Sequence, residues 1–489
     1  MMNWKMWQKC VGKMGKKLPI FLFIFILLYV IGSLICYPML TKRHVLKQKE
    51  KYAEQDAKET VDRSASVRCL DDNTQALVYR LALIESAQQE LIMTTFDMSD
   101  GESGQDLMAA MLQAADRGVR IRLMVDGINA WLKLEKSDLF GAFSTHPNIE
   151  IRFYNPIRLT KLWKLNYRMH DKYLIADDTA YILGGRNSNN LFLGAYRDTY
   201  NIDRDLYVLE RTEKNASDVM QKKERNSLQD IKAYFEKIWV QPDQKIFRKK
   251  ETEKTKEGLA LLREHYKELQ TAYPEAFSEN ETLLTQDLIR VDSIQFLHNP
   301  LYADEKVPVV YQRICQEMEQ GETILIQTPY IICDKGMYQD LSELCRAGKQ
   351  IEIITNAVES GANPWGCTDY LNERKSILKT GAGVYACMAG QSLHTKTALI
   401  DDETSIVGSY NLDLRSTYLD TELMLLVKSK ELNKQLRDQA AAYQEKSTYE
   451  KAGKPSRTGS LYEKKEMSDM QKVIYSILRI LIRPIREVL

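Results

Sequence analysis

An α/β fold class, arranged as two homologous lobes behind an N-terminal transmembrane helix, is predicted for this 489-residue chain by three observations. Segments of strand period alternate with segments of helical period, which implies sheets covered by helices. The whole alternation returns later in the chain, at a spacing too long for a solenoid and suited to two related lobes. Ahead of both copies lies an uncharged apolar stretch from Leu18 to Leu40, "LPIFLFIFILLYVIGSLICYPML".

That stretch is long enough to cross a bilayer, which takes about 20 apolar residues. No small-x-small site follows it, and bulky Ile35 stands just before Cys36, so a retained single-pass anchor in the cell membrane is preferred to a cleaved signal peptide. Residues 1–17 form a basic tail before it and residues 41–65 a charged, helix-prone stalk after it. Flanking charge leaves the side of the lobes open, because Lys5, Lys9, Lys13, Lys16 and Lys17 are matched by Lys42, Arg43, Lys47, Lys49 and Lys51.

The first lobe is expected over residues 66–240. Ala76 to Ala87 has helical spacing, Glu90 to Phe96 reads as a strand, Asp106 to Ala115 as a helix and Val119 to Val125 as a strand. The second is expected over residues 291–447, where Val309 to Met318, Thr323 to Thr328, Gly336 to Arg346 and Gln350 to Thr355 repeat the order. Between them, residues 241–290 are rich in Lys and Glu, with Leu259, Leu262, Tyr266 and Leu269 at helical spacing, and read as a helical connector. The tail 448–489 ends in "VIYSILRILIRPIREVL", whose Ile474, Ile477, Leu478 and Leu481 share a face. A helix docked on the core and a helix lying in the membrane interface both carry this signature.

Composition narrows the function. The 68 basic and 67 acidic residues nearly cancel, so the total charge points to no nucleic-acid partner. The eight cysteines lack both the paired spacing of a zinc site and the density of a disulfide scaffold. No metal and no cofactor is expected.

Histidine carries the strongest signal. Only six are present, yet "MHDKYLIADDTAYILGGRN" and "LHTKTALIDDETSIVGSYN" repeat one pattern of His, Lys two residues on, Asp seven on, and a following G-[GS]-x-N. Strand alternation points His170 with Lys172 one way, and likewise His394 with Lys396. Asp177-Asp178 and Asp401-Asp402 supply turns, and the returning strands bring Asn187 toward His170 and Asn411 toward His394. Each lobe so offers an imidazole, an ammonium and a carboxamide. A phosphodiester calls for this set: Lys and Asn donate to non-bridging oxygens, one neutral imidazole attacks phosphorus, and a second imidazole protonates the departing oxygen. A lysine inside the cluster opposes a metal cation, and H-E-x-x-H spacing is absent.

With these motifs the chain resembles the phospholipase D superfamily, whose signature is the duplicated H-x-K-x4-D. The resemblance covers most of residues 66–447. Within it, "RMHDKYLIADDTAYILGGRN" and "SLHTKTALIDDETSIVGSYNLDLRS" look most like bacterial cardiolipin synthases of the G-G-R-N subgroup. The resemblance implies two phospholipase D-type α/β sandwich lobes with the active site at their interface and a phosphohistidine intermediate. It implies that His170 attacks and His394 donates a proton, with Asp177 and Asp401 completing the catalytic motif by supporting the hairpins. A carboxylate orienting each histidine is expected further on, at Glu422 in the second lobe and at Asp205, with Asp203 as rival, in the first. Gly185 departs from the pattern, standing where many relatives have the serine kept at Ser409, which is expected to bind substrate together with Asn187 and Asn411. Arg186 is the residue that could compensate.

Transfer and hydrolysis share their first half-reaction. The anchor and the aromatic-basic cluster Arg158, Lys161, Trp163, Lys164, Tyr167 and Arg168 favour a lipid. The leading expectation is a phosphatidyltransferase, passing a phosphatidyl group from phosphatidylglycerol or phosphatidylethanolamine to phosphatidylglycerol. The alternatives are a phosphodiesterase hydrolysing phospholipid or nucleic acid, and a catalytically silent membrane scaffold.

Overall fold

The structure is a computed structural model that describes residues 21–46, 65–210, 226–302 and 305–489. The basic tail 1–17 and most of the 41–65 stalk lie outside the described residues. The apolar stretch forms helix α1 (Phe21–Val45), long and apolar enough to cross a membrane, with a π-helical segment at Gly32–Cys36.

Apolar runs and their turn residues set the first lobe. Its strands are β1 (Ser66–Leu70), β2 (Glu90–Thr95), β3 (Arg120–Asp126), β4 (Ile149–Tyr154), β5 (Tyr173–Ala176), β6 (Ala180–Gly184), β7 (Asn201–Ile202), β8 (Asp205–Leu209), β9 (Lys245–Phe247) and β10 (Ile289–Arg290). All but β7 join one sheet in the order β10-β1-β8-β6-β5-β2-β3-β4-β9. β2, β3 and β4 run parallel, as crossover connections require, while β5 and β6 form an antiparallel hairpin. Buried on both faces, β2 and β3 read as nearly continuous apolar runs. Helices α2 (Asn73–Ser86), α3 (Glu102–Asp116), α4 (Ser227–Trp239) and α5 (Glu253–Ala272) cover the sheet. Asp72 caps α2 by accepting the Gln75 N–H at 2.8 Å.

The second lobe repeats the plan. Its strands are β11 (Ser293–His298), β12 (Thr323–Gln327), β13 (Gln350–Asn356), β14 (Gly383–Cys387), β15 (Ser392–Leu393), β16 (Thr397–Ile400), β17 (Thr404–Gly408), β18 (Leu423–Lys428), β19 (Ser447–Glu450) and β20 (Arg457–Thr458). All but β15 form a sheet in the order β11-β18-β17-β16-β12-β13-β14-β19-β20. Its helices include α6 (Val309–Gln320), α7 (Lys335–Arg346), α8 (Pro364–Lys379), α9 (Lys430–Gln444) and α10 (Asp469–Leu481). The two sheets match strand for strand from β1 and β11 to β9 and β19.

The lobes share a core. One apolar cluster holds Ile92, Leu183, Val208 and Phe235 from the first lobe with Leu325, Val407, Leu425 and Leu436 from the second. Burial of this surface glues the halves together, at about 25 cal/mol per Å² of apolar area removed from water. Separate clusters lie under the outer helices of each lobe.

Residues 241–290 are woven into the first lobe rather than standing apart, since β9 and β10 close opposite edges of its sheet and α5 buries Leu262, Tyr266 and Leu269 in its core. At Gly258 a Cβ would meet the Ala142 Cβ at 2.6 Å, so only glycine lets α5 lie this close. The second sheet likewise runs past residue 447 into β19 and β20.

The two motif aspartates occupy equivalent turns. Asp177 accepts backbone N–H groups from Gln88, Gln89 and Glu90, each at 2.8 Å. Asp401 accepts from Glu322 at 2.9 Å and Thr323 at 2.8 Å. Both have positive φ, 51° and 48°, a conformation that Asp tolerates better than most residues. Each pins its hairpin to the loop before β2 or β12, at the end of β5 or β16 remote from the histidine. We expect Asp177→Ala to lower stability by about 1–3 kcal/mol through the orphaned amides. Thermal denaturation will read this as a lower Tm, while activity per folded molecule in the cold stays within about twofold, because no reacting group moves.

Candidate active site

His170 and His394 each stand three residues before the first residue of a hairpin strand, β5 or β16, and in each case the segment leading to the histidine pairs with the opposite lobe. Met169 forms a parallel bridge with Thr421, which sets His170 beside Glu422. Ser392–Leu393 (β15) pairs in parallel with Asn201–Ile202 (β7), which sets His394 beside Asp203. Backbone bonds fix both registers: the Thr421 N–H donates to the Arg168 carbonyl at 2.9 Å, and the His394 N–H donates to the Ile202 carbonyl at 2.7 Å.

The carboxylates therefore cross between lobes. His170 Nδ1 lies 2.9 Å from Glu422 Oε1, and His394 Nδ1 lies 2.6 Å from Asp203 Oδ2. This corrects the expectation that each lobe orients its own histidine. Asp205 is not a histidine partner; it pairs with Arg80 at 2.9 Å and Arg186 at 3.3 Å, both buried. The register of the strands explains the choice. Gly184 pairs with Asp205 and Gly408 with Met424, so Asp203 and Glu422, two residues earlier, are the equivalent positions. Arg186 is spent on Asp205 and on the carbonyls of Leu70 and Asp71, so it does not replace a missing serine hydroxyl.

The Gly185 departure has a steric cause. A Cβ there would lie 2.3 Å from Asp203 Oδ1. In the second lobe the longer Glu422 leaves room for Ser409, whose hydroxyl donates to Glu422 Oε2. The first lobe instead has the shorter Asp203, whose Oδ1 accepts the Arg204 N–H at 2.8 Å.

Both lysines are buried with their histidines. Lys172 Nζ donates to the His170 carbonyl at 2.5 Å, and Lys396 Nζ lies 3.3 Å from Asp203 Oδ2. Phe96 and Phe192 stand edge-on to His170 and His394, each with ring centres 5.0 Å apart. Asn187 and Asn411 are both buried, and the side-chain oxygen of each has no partner among the described residues. An unpaired amide oxygen can only accept, so a phosphodiester oxygen would be met by the Nδ2 group, which a half-turn of the amide brings to the same place. Asp171, in the middle of the first motif, accepts from Thr421 at 2.6 Å and Tyr234 at 2.8 Å, and Thr421 Oγ1 in turn accepts the His170 N–H at 3.1 Å.

Burial shapes the protonation states. It pushes the Lys172 ammonium down to about 7 and, with Lys396 alongside, His394 down to about 4. His170 falls well below its ordinary value for the same reason, with Lys172 adding to the effect. Burial raises Glu422 to about 8 against the pull of Lys172. Asp203 goes the other way: burial opposes ionisation, but Lys396 and His394 overcome it and hold the carboxylate well below its usual range. Lys396 acts on His170 and Lys172 on His394, so the charges of the two lobes meet in one site. Among the described residues no group of three or more His, Cys, Asp and Glu is placed to hold a metal ion.

The spacing of the motifs was legible in the sequence; Thr421, Asp171, Phe96 and Phe192 were not singled out. Asp203 carried one usable signal. It stands just ahead of a strand, two residues before β8, as Glu422 stands one residue before β18.

Comparison with known proteins agrees with this architecture. A family described as "Cardiolipin synthase, PLD-like domain" matches residues 81–239 and 314–443, one segment in each lobe. Cardiolipin synthase C of Escherichia coli K12 is 26% identical over 399 residues, covering 74% of this chain and 81% of that protein. The major cardiolipin synthase ClsA of Bacillus subtilis 168 is 25% identical over 359 residues, covering 73% of this chain and 64% of that protein. Among solved structures, a phosphatidylserine synthase from Haemophilus influenzae Rd KW20 shares the fold, with a TM-score of 0.61 at 15% identity over 90% of this chain and all of that one. With both of its lobes matched, more than half of its length in all, the chain belongs to the phospholipase D-like cardiolipin synthase family.

Proposed function

We propose that this protein is a membrane-anchored phospholipid synthase, a phosphatidyltransferase that makes cardiolipin from phosphatidylglycerol. The observation that carries the reading is the pair of cross-lobe bonds, His170 to Glu422 and His394 to Asp203, which engage both Nδ1 atoms and so assign the chemistry to Nε2, that of His394 lying 3.2 Å from Lys396 Nζ. Lys172, Lys396, Asn187 and Asn411 would hold the non-bridging oxygens of a phosphodiester between them.

In the proposed first step, His170 Nε2 attacks phosphorus and the bond to the headgroup oxygen breaks. His394 gives that oxygen its proton, and the headgroup alcohol leaves. In the second, a hydroxyl of phosphatidylglycerol gives its proton to His394 and attacks the phosphatidyl-His170 adduct, freeing Nε2 and forming cardiolipin. Two features support these roles. Burial keeps His170 neutral and therefore nucleophilic. Asp203, ionised, pulls His394 toward protonation against the burial and the Lys396 charge that lower it to about 4, and the negative charge of a bound phosphodiester would act in the same direction as Asp203. A bound phosphodiester anion adds negative charge and draws protons back onto both lysines. The anchor, α1, would keep the site at the substrate surface.

Incubation of the purified full-length protein with phosphatidylglycerol vesicles, followed by lipid mass spectrometry, should yield cardiolipin. Phosphatidic acid alone would make the protein a hydrolase, and neither product would reject lipid turnover. His170→Ala should remove activity toward every phosphodiester. His394→Ala should lower lipid transfer by about 10²- to 10⁴-fold, the range of general acid catalysis. It should spare first-step release from a p-nitrophenyl phosphodiester, whose leaving group needs no proton. Equal losses for both variants on that compound would overturn the division of roles.

The lysine gives a pH signature. With its pKa lowered to about 7, Lys172 is charged below that pH and neutral above it, so kcat/KM should decline as pH rises through about 7. Lys172→Arg, which cannot lose its charge, should carry the decline to higher pH in whatever activity remains. A profile flat from pH 6 to 9 would dismiss this role for the ammonium.

A further inference from the structure

α10 is apolar on two sides. Tyr475, Leu478 and Ile482 turn inward onto the second lobe's core. Met470, Val473, Ile474, Ile477, Ile480 and Leu481 turn outward, with Ile477 54% and Ile480 70% exposed. A helix of this kind needs an apolar neighbour on each side, and the described residues supply only one. A contiguous exposed row of large aliphatic residues marks an interaction site.

The position of α10 says what that neighbour is. The segment that follows it, Arg483–Val488, packs against the Gly32–Cys36 turn of α1, and Glu487 bonds Lys42 of α1 at 2.8 Å. The same turn of α1 packs against Leu159–Lys164, where the Tyr29 hydroxyl donates to the Leu159 carbonyl at 2.9 Å. Leu159 is 77% exposed, and beside it Arg158, Lys161 and Lys164 share the single carboxylate of Asp243. This leaves net positive charge around an exposed leucine. Only Phe21 to Leu28 of α1 is exposed throughout before Tyr29 meets the first lobe, among the described residues about 12 Å of helix against a hydrocarbon core of about 30 Å. The rest of the apolar stretch runs beside Asn166 and Tyr167, which precede His170, so α1 cannot be immersed without drawing this end of the lobes to the lipid.

We propose that the catalytic lobes sit on an anionic lipid bilayer through two elements flanking α1, the outer face of α10 and the Ile157–Lys164 segment, so that the active site opens at headgroup level. The inference rests on α1 being a membrane anchor. α10 and the segment contribute apolar side chains to the interface while the basic cluster meets lipid phosphates. Arg415 ties this surface to the site: its guanidinium donates to the Val488 carbonyl and its backbone N–H to the Leu489 oxygen, each at 3.1 Å, and it pairs with Asp420, two residues before Glu422.

The full-length protein, reconstituted in phosphatidylglycerol-containing nanodiscs, tests this with a genetically encoded fluorescent amino acid in place of Phe25, Leu159, Ile477 or Asp402 in turn. Asp402 lies in the β16–β17 turn, at the end of that hairpin away from His394. Brominated lipid should quench the probes at 25, 159 and 477 at least twofold and leave the probe at 402 unchanged. Quenching at 25 alone would refute docking while keeping the anchor, and no quenching at 25 would remove the anchor and the docking with it. A dimer that shields the probe at 477 from lipid would assign the outer face of α10 to a second copy, and would refute the proposal equally. Independently, Ile477→Asp combined with Ile480→Asp should slow turnover of vesicle lipid at least tenfold and leave turnover of a soluble p-nitrophenyl phosphodiester unchanged. An unchanged vesicle rate would overturn the docking role of α10.

Discussion

Each histidine of this protein is held by a carboxylate from the other half of the molecule. His170 and Glu422 are 252 residues apart in sequence, and His394 and Asp203 are 191 apart. Neither imidazole is oriented until the lobes have docked. The central apolar cluster therefore does more than stabilise the fold, because its burial sets the register in which Met169 meets Thr421 and β15 meets β7. Arg204 reinforces the same joint, reaching from Asp71 in its own lobe to Gln327, Thr397 and Gln439 in the other.

Burying so many ionisable groups together costs stability, and the site carries that cost in its lowered lysines and raised Glu422. A phosphodiester anion placed among them would relieve part of the strain by restoring a counter-charge, which ties substrate affinity to the same desolvation that disfavours the empty state. The two halves do not share the load equally. Asp203 stays ionised between His394 and Lys396, whereas Glu422, which accepts the Ser409 hydroxyl on its second oxygen, is raised by burial against the pull of Lys172. The histidines therefore stand in different electrostatic settings although their local sequences match.

Much of the fold was legible because buried parallel strands write themselves as apolar runs. Segments read as strands at Glu90 and Gln350 and as helices at Ala76 and Val309 appear as β2, β13, α2 and α6. The two- and three-residue edge strands β9, β10 and β20 carry no detectable period, which is why residues 241–290 read as a connector. At the site, local spacing exposed His170, Lys172, His394, Lys396 and both asparagines. The orienting carboxylate of His394 was harder to read. Asp203 and Asp205 are two residues apart, so strand alternation cannot separate them, and only the buried Arg80 and Arg186 show that Asp205 is already engaged. Crossing between lobes is a tertiary fact that no local pattern encodes.

The pairing of Gly185 with Asp203 in one half, and of Ser409 with Glu422 in the other, has a consequence for how such a molecule diversifies. If the halves were separate identical subunits related by a two-fold axis, any exchange at one histidine would be imposed on its twin. Covalent linkage breaks that symmetry, so a shortened acid in one copy can be matched by loss of the neighbouring side chain in that copy alone. Two chemically specialised imidazoles then become reachable from a repeated ancestor by small, mutually compensating steps.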